Sequence, residues 1–301
     1  MGQGPVVVVM LTHRDPPLVQ RLVDRVRDGR DVAVVVHHDP RGPALDLAPS
    51  PQVHQVPEPV EASWGRIGLA HAVLLGLETA RSWVPDLSWA LVVSGQDYPA
   101  RPMSRIEDEL HAGGHDAYLR WFKVGDPADD VVPWQGLTRA RYLRRLRVPG
   151  SHRHVPFPRR HPFRGGLDLF IGDMWPNLSA PALDHVLAQR ARLPRVERYL
   201  SWCQAPDEAL LPTLLLNDGP TGPTGLDVVN DRKRYIRWTT GSPHPELLTV
   251  HDVPAITGGT DFFARKADPG DLEVLDLLDA AAGRQPGAAH ASGPAEELGG
   301  A

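Results

Sequence analysis

The chain predicts an α/β fold with a mostly parallel central sheet and flanking helices. Three observations carry that prediction. Apolar runs at 6–11 and 32–36 are continuous and the one at 87–93 is broken only by Ser88, rather than alternating, the mark of strands buried on both faces. Between the first two runs, Leu18, Val19, Leu22, Val23 and Val26 recur at helical spacing, and Gly29 stops the helix. Strand, helix and strand at this length form a βαβ unit, whose two strands are parallel.

The remaining elements follow in order. Thr12-His13-Arg14-Asp15 is a polar loop after the first strand, and His37-His38-Asp39-Pro40 ends the second. A Pro-rich loop leads to a short strand at 53–56. Ser63-Trp64-Gly65-Arg66 opens a long helix that runs to about Trp83. The strand at 87–93 breaks at Ser94-Gly95-Gln96-Asp97-Tyr98-Pro99. Ser104-Arg105-Ile106-Glu107 has the capping-box pattern of a helix start. A strand is expected at 117–122 and another at 166–171. Ser179 is the expected cap of a helix reaching Arg190. A late strand is expected at 234–238, a short helix before Asp261, and a closing helix at 271–282. The expected organisation is one domain over 1–282 and a disordered tail over 283–301, which is Gly, Ala, Pro and Glu without periodicity.

Composition excludes several classes. Apolar residues make up 42% and charged residues 23% of the 301, as in a soluble globular protein. A net charge of −5 argues against a general nucleic-acid binder. One cysteine, Cys203, permits no internal disulfide and suits a reducing cytoplasm, the expected location. No apolar run approaches the ~20 residues of a membrane helix. The run at 6–11 lacks the basic leader of a signal peptide. No Gly-x-Gly-x-x-Gly follows a strand and no Walker motif occurs. Cys-x-x-Cys, His-Glu-x-x-His and Asp-x-Asp are missing, so no metal site is expected, and the missing Gly-x-Ser-x-Gly elbow speaks against a serine hydrolase. His37-His38-Asp39 is a poor metal candidate, because neighbouring strand residues point to opposite faces.

Chemistry in an open parallel sheet gathers at the carboxyl ends of strands. Thr12, His13, Asp39 and Asp97 fall there. A second candidate is Ala205-Pro206-Asp207-Glu208, which leads into a leucine-rich run. Proline and acids suit the first turn of a helix, where free N–H groups and the positive helix end favour carboxylates. Glu208 can then face a cleft as a general base, or both acids can simply cap the helix. Pro212 lies in the same helix pattern and is expected to kink it. From 131 to 167 the chain holds arginines and histidines and no acid, with a short basic helix expected at 137–147. That run is either a solvated face or a wall for an acceptor or phosphate.

These segments together resemble glycosyltransferase family 14, the core-2/I-branching N-acetylglucosaminyltransferases and peptide O-xylosyltransferases. The resemblance spans about 6–279. It rests on His37-His38-Asp39, Ser63-Trp64-Gly65-Arg66, Ser94-Gly95-Gln96-Asp97-Tyr98-Pro99, Ala205-Pro206-Asp207-Glu208, Arg234-Tyr235-Ile236-Arg237-Trp238 and Phe263-Ala264-Arg265-Lys266. It implies a Rossmann-like GT-A fold and inverting transfer from a UDP-sugar, GlcNAc or xylose, to a hydroxyl, without a metal or other cofactor. It assigns Glu208 as base. Donor contacts would come from Thr12, His13, Asp39, Trp64, Arg66, Asp97, Arg265, Lys266 and one of Arg234 and Arg237, which the motif does not separate. Trp175 and Asp207 are the expected acceptor contacts. The partners would be the UDP-sugar and a glycan, small-molecule or protein hydroxyl, with neither nucleic acid nor a membrane segment. The chain lacks the membrane anchor and disulfides of animal members, so it resembles a soluble, bacterial-type member. Two other readings stay open: a nucleotide-sugar-binding protein without turnover, and a scaffold that binds polyanions through 139–164.

Overall fold

The computed structural model describes residues 4–125, 140–148, 154–156, 160–218, 224–239, 242 and 244–284. The strands are β1 (Val6–Thr12), β2 (Val32–His38), β3 (Val53–Gln55), β4 (Trp89–Ser94), β5 (Asp97–Pro99), β6 (Ala117–Tyr118), β7 (Trp121–Lys123), β8 (Arg145–Arg147), β9 (His154–Pro156), β10 (Phe170–Gly172), β11 (Asn177–Ser179), β12 (Val228–Val229), β13 (Arg234–Ile236) and β14 (Phe263–Arg265). The α-helices are α1 (Pro16–Val26), α2 (Ile67–Trp83), α3 (Met103–Ala112), α4 (Ala180–Arg192), α5 (Pro194–Leu200), α6 (Asp207–Leu216), α7 (Val253–Thr257) and α8 (Leu272–Ala281).

The central sheet has the order β12-β6-β11-β4-β1-β2-β3. β1 pairs in parallel with both β2 and β4, β2 with β3, and β12 with β6, while β11 runs antiparallel between β4 and β6. The mixed α/β architecture with a mostly parallel sheet is thus the one the apolar runs predict. β1 is buried along its whole length, and its side chains split by parity. Val7, Val9 and Leu11 pack with α2, α4 and α6 on one face; Val6, Val8 and Met10 pack with α1, α3 and α8 on the other. A smaller sheet, β13-β14-β5, sits beside the carboxyl ends of β1 and β4. β5 leaves β4 after two residues, so the sharp turn at 95–96 places Asp97 there.

Several expectations are corrected. The long helix starts at Ile67, not Ser63, because Gly65 takes φ 66° and holds 63–66 as a turn with Arg66 as the cap. The capping box at Ser104 does not form: α3 begins at Met103 after Pro102, with no side-chain cap. Glu107 instead reaches across to accept the backbone N–H groups of Arg30 and Asp31, each at 2.9 Å. The strand expected at 117–122 is two strands in different sheets. The expected basic helix at 137–147 is a π-helical turn at Ala140–Arg144 followed by β8, with 137–139 outside the described residues. Ser179 caps α4 as predicted, accepting from the Ala182 N–H at 3.4 Å. α6 runs through Pro212 to Leu216. The tail from 285 onward and much of the basic run lie outside the described residues.

Candidate active site

The site is built in two halves. The first lies at the carboxyl ends of β1, β2 and β4. Asp97 is fully buried, and its Oδ2 accepts the Ser94 N–H and the Ser94 hydroxyl, both at 2.6 Å. In the small sheet Asp97 stands opposite Arg265 on β14. Arg234 Nε, from β13, lies 2.7 Å from Asp97 Oδ1, and Arg265 Nη1 lies 3.8 Å from Oδ2. Arg234 also donates to the Val92 carbonyl at 2.9 Å. The Trp175 ring closes this group, 4.9 Å from the Arg265 guanidinium carbon and 5.8 Å from that of Arg234. Burial lowers the proton affinity of Arg234 and Asp97 raises it. So Arg234 is an interior cation held by one carboxylate, the carbonyls of Val92 and Trp175, and the ring faces of Trp175 and Phe263.

Lys266 follows directly on β14 and is half-buried. Burial pushes its pKa down, and the neighbouring charges of Arg265 and Arg14 push it further, against the pull of Asp97. Its ammonium has no hydrogen-bond or ion-pair partner among the described residues. His13, on the loop after β1, feels Arg14, Asp39 and Lys266; burial is the largest of the influences that lower its pKa. Thr12 is buried and bonds His38 Nδ1 at 2.7 Å. Asp39 is answered four times: by the Arg41 N–H at 2.9 Å, Arg41 Nε at 2.9 Å, Arg41 Nη2 at 2.7 Å and the Ala62 N–H at 2.8 Å. The Arg41 fork holds the Asp39 carboxyl far below the usual range. These bonds tie the loop after β2 to the turn at 63–66. There Trp64 is 72% exposed, edge-on to His244 at 5.8 Å. The Arg66 guanidinium has no partner among the described residues. Arg237 turns outward to Asp252 Oδ1 at 3.3 Å and the Leu247 carbonyl at 3.0 Å.

The second half is the start of α6. Its first turn holds Asp207 and Glu208, as the sequence predicts, with Pro206 as the cap. Glu208 keeps 47% of its side chain exposed and meets Arg141 Nη1 at 3.2 Å. Burial nevertheless pushes its pKa up, Arg141 pulls it down and Asp173 pushes it up again. Asp207 is 5% exposed, and its Oδ1 has no hydrogen-bond partner. Burial, then the charge of Glu208, pushes its pKa up to about 7. Beneath them Tyr142 is fully buried and donates to the Ala205 carbonyl at 2.7 Å, fixing the turn before the helix. Asp173 joins the halves: it pairs with Arg232 at 3.0 Å, and its charge acts on both Glu208 and Arg234.

Over residues 8–257 the chain matches the model of the Core-2/I-Branching enzyme family. The chain belongs to that family. Membership makes it a glycosyltransferase, acting on a nucleotide-sugar donor and an acceptor, and the α/β architecture fits a GT-A-type domain. No curated protein matches the chain. The family match ends before β14, so Arg265 and Lys266 lie beyond it.

Thr12, His13, Asp39, Asp97, Arg234, Arg265 and Lys266 thus come together in the first half. Trp175, expected at the acceptor, instead packs on Arg265 and Arg234 in this half. Arg41, Arg141, Asp173 and Arg232 belong to the site as well, and sequence reasoning missed them. Arg41 had a readable signal, since a residue two past Asp39 on a turn can fork onto it. Arg141 had none, because only the fold brings 140–144 to α6. Among the described residues, no group of three or more His, Cys, Asp and Glu is placed to hold a metal ion. Nor is any helix there long and apolar enough to cross a membrane.

Proposed function

We propose that the chain moves a sugar, GlcNAc or xylose, from a UDP-sugar to an acceptor hydroxyl, with inversion and without a metal ion. One contrast carries the reading. Among charges of the site that are largely paired, Lys266 is left unanswered in one half and Glu208 half-open in the other. Asp173 and Arg234 connect them.

Glu208 takes the proton of the attacking hydroxyl. As that oxygen bonds to the anomeric carbon, the bond to the diphosphate breaks on the opposite face. A single displacement inverts the configuration. Charge grows on the leaving diphosphate, and fixed cations aimed at it stabilise the transition state. A lysine about 4 Å from a phosphate oxygen contributes roughly 4 kcal/mol at an effective dielectric near 20. Lys266 and Arg265 supply that charge in this reading. Arg234, held by Asp97, fixes Arg265 from behind rather than touching phosphate, and Arg237 lies outside the diphosphate site. Asp39 acts through Arg41 to shape the nucleotide loop. Trp64, open to solvent, and the half-buried Arg66 on the adjoining turn cover the donor. Asp207 is too deeply buried to meet an acceptor without movement. We place the enzyme in the cytoplasm, consistent with its one cysteine being buried and unable to form an internal disulfide.

The test is Glu208→Gln. A positioned base contributes about 10²–10⁴-fold, and the folded variant is expected to lose that much transfer. Near wild-type transfer by a folded Glu208→Gln protein overturns the assignment. In the same assay EDTA is expected to leave the rate unchanged; inhibition reversed by Mn²⁺ overturns the metal-free reading.

A further inference from the structure

Behind the donor half lies a second charged cluster that the chemistry above does not use. Asp279, on α8, is fully buried. Its Oδ2 accepts from Arg21 Nη2 at 2.7 Å and Arg25 Nε at 2.8 Å, both from α1. The Tyr98 hydroxyl donates to the same carboxylate at 2.9 Å, and Arg21 Nε in turn donates to the Tyr98 oxygen at 2.9 Å. Arg284 Nη1 stands 3.7 Å from Oδ1. One carboxylate therefore collects three guanidiniums and a phenol from three segments: α1, β5 and the residues just after α8.

Two of those segments carry donor candidates. Tyr98 is the residue after Asp97 on β5. Successive strand residues point to opposite faces, so Tyr98 reaches the α1/α8 side while Asp97 reaches Arg234 and Arg265. α1 begins directly after the loop of Thr12, His13 and Arg14. α8 lies beyond the residues matched to the family and buries Val274, Leu275 and Leu278 in the core on that side.

We infer that Asp279 and Tyr98 are positioning residues for the donor site: the α8 carboxylate fixes the depth of β5 and, through Arg21 in the middle of α1 and Arg25 in its last turn, the seating of that helix, and through them the Asp97–Arg265–Lys266 group and the His13 loop that leads into α1. The inference rests on the proposed UDP-sugar reading. Neither residue touches the nucleotide. Loss of either loosens the cations that do.

Calorimetry with UDP on the full chain tests it. Tyr98→Phe removes one hydroxyl and keeps the ring, so the fold survives. Asp279→Asn removes the charge and costs more. Leu183→Ala, in the core on the opposite face of the sheet, serves as a control for general loss of stability. Tyr98→Phe is expected to weaken UDP binding about tenfold, while Leu183→Ala leaves it within about twofold despite a comparable or larger fall in Tm. Unchanged UDP affinity in Tyr98→Phe overturns the inference, as does equal weakening in Leu183→Ala. Should Asp279→Asn fail to fold, Tyr98→Phe alone decides. If the wild-type chain binds no UDP, the donor reading itself falls, a result distinct from the other two.

Discussion

The clusters around Asp97 and around Glu208 use the same charges to opposite ends. Asp97 and Arg234 are sealed in the protein, their side chains 0% and 1% exposed. Glu208 and Arg141 meet at 3.2 Å with side chains 47% and 32% exposed. A sealed pair is over-determined: the Ser94 donors, two carbonyls and two rings hold it. The open pair makes one contact among the described residues and, in the proposed reaction, parts when an acceptor arrives. Ions that build the site are buried; ions left for chemistry stay open to water.

Breaking the sealed pair is expected to have the largest effect. Asp97→Ala strands Arg234 and Arg265 beside a vacant space, and removing one partner of a buried pair costs about 3–5 kcal/mol. Chemical denaturation would register this as a fall in midpoint without a change in slope. A loss under 1 kcal/mol would mean that Asp97 is not a structural anchor, and the contrast between the two clusters would dissolve.

Asp207 sharpens the contrast from the other side. Like Asp97 it is buried, but no cation answers it at hydrogen-bond distance. In the folded chain its carboxyl gains a proton near pH 7, and in the unfolded chain near 4. Between those values the folded state holds a proton that the unfolded state has lost. Stability therefore falls as pH rises from 4 to 7, and the deficit is complete above 7. Asp207→Asn is expected to remove it, gaining roughly 2–4 kcal/mol at pH 8 and nothing at pH 4. A variant equally or less stable than wild type at pH 8 would refute the unanswered carboxylate.

What could be read in advance follows the range of the forces. Buried strands and α1 were legible because their apolar spacing is local, and Glu208 was legible because Pro206 and two acids mark a helix start. β5 and β14 were not legible as strands: each is three residues long, and its pairing depends on a partner more than 160 positions away. Glu107 was misread for the same reason, since its carboxylate finds backbone donors at 30–31 instead of its own helix end. The choice between Arg234 and Arg237 was open in sequence because both sit on one motif. Placement separates them, one beneath Asp97 and one on Asp252.

The smallest effect is expected where the pair is open. Arg141→Gln removes the cation beside Glu208, and a half-exposed ion pair of this kind stabilises the fold by about 0.2–1 kcal/mol. Its signature lies in pH dependence. Arg141 holds the Glu208 carboxyl down against burial, so without it that pKa rises further. A base must be ionised to act, so the acidic limb of transfer is expected to move to higher pH while the rate above pH 8 changes little. An unshifted acidic limb would separate Arg141 from the base. A large fall in stability would make the open pair a structural one, and would set it beside Asp97 rather than against it.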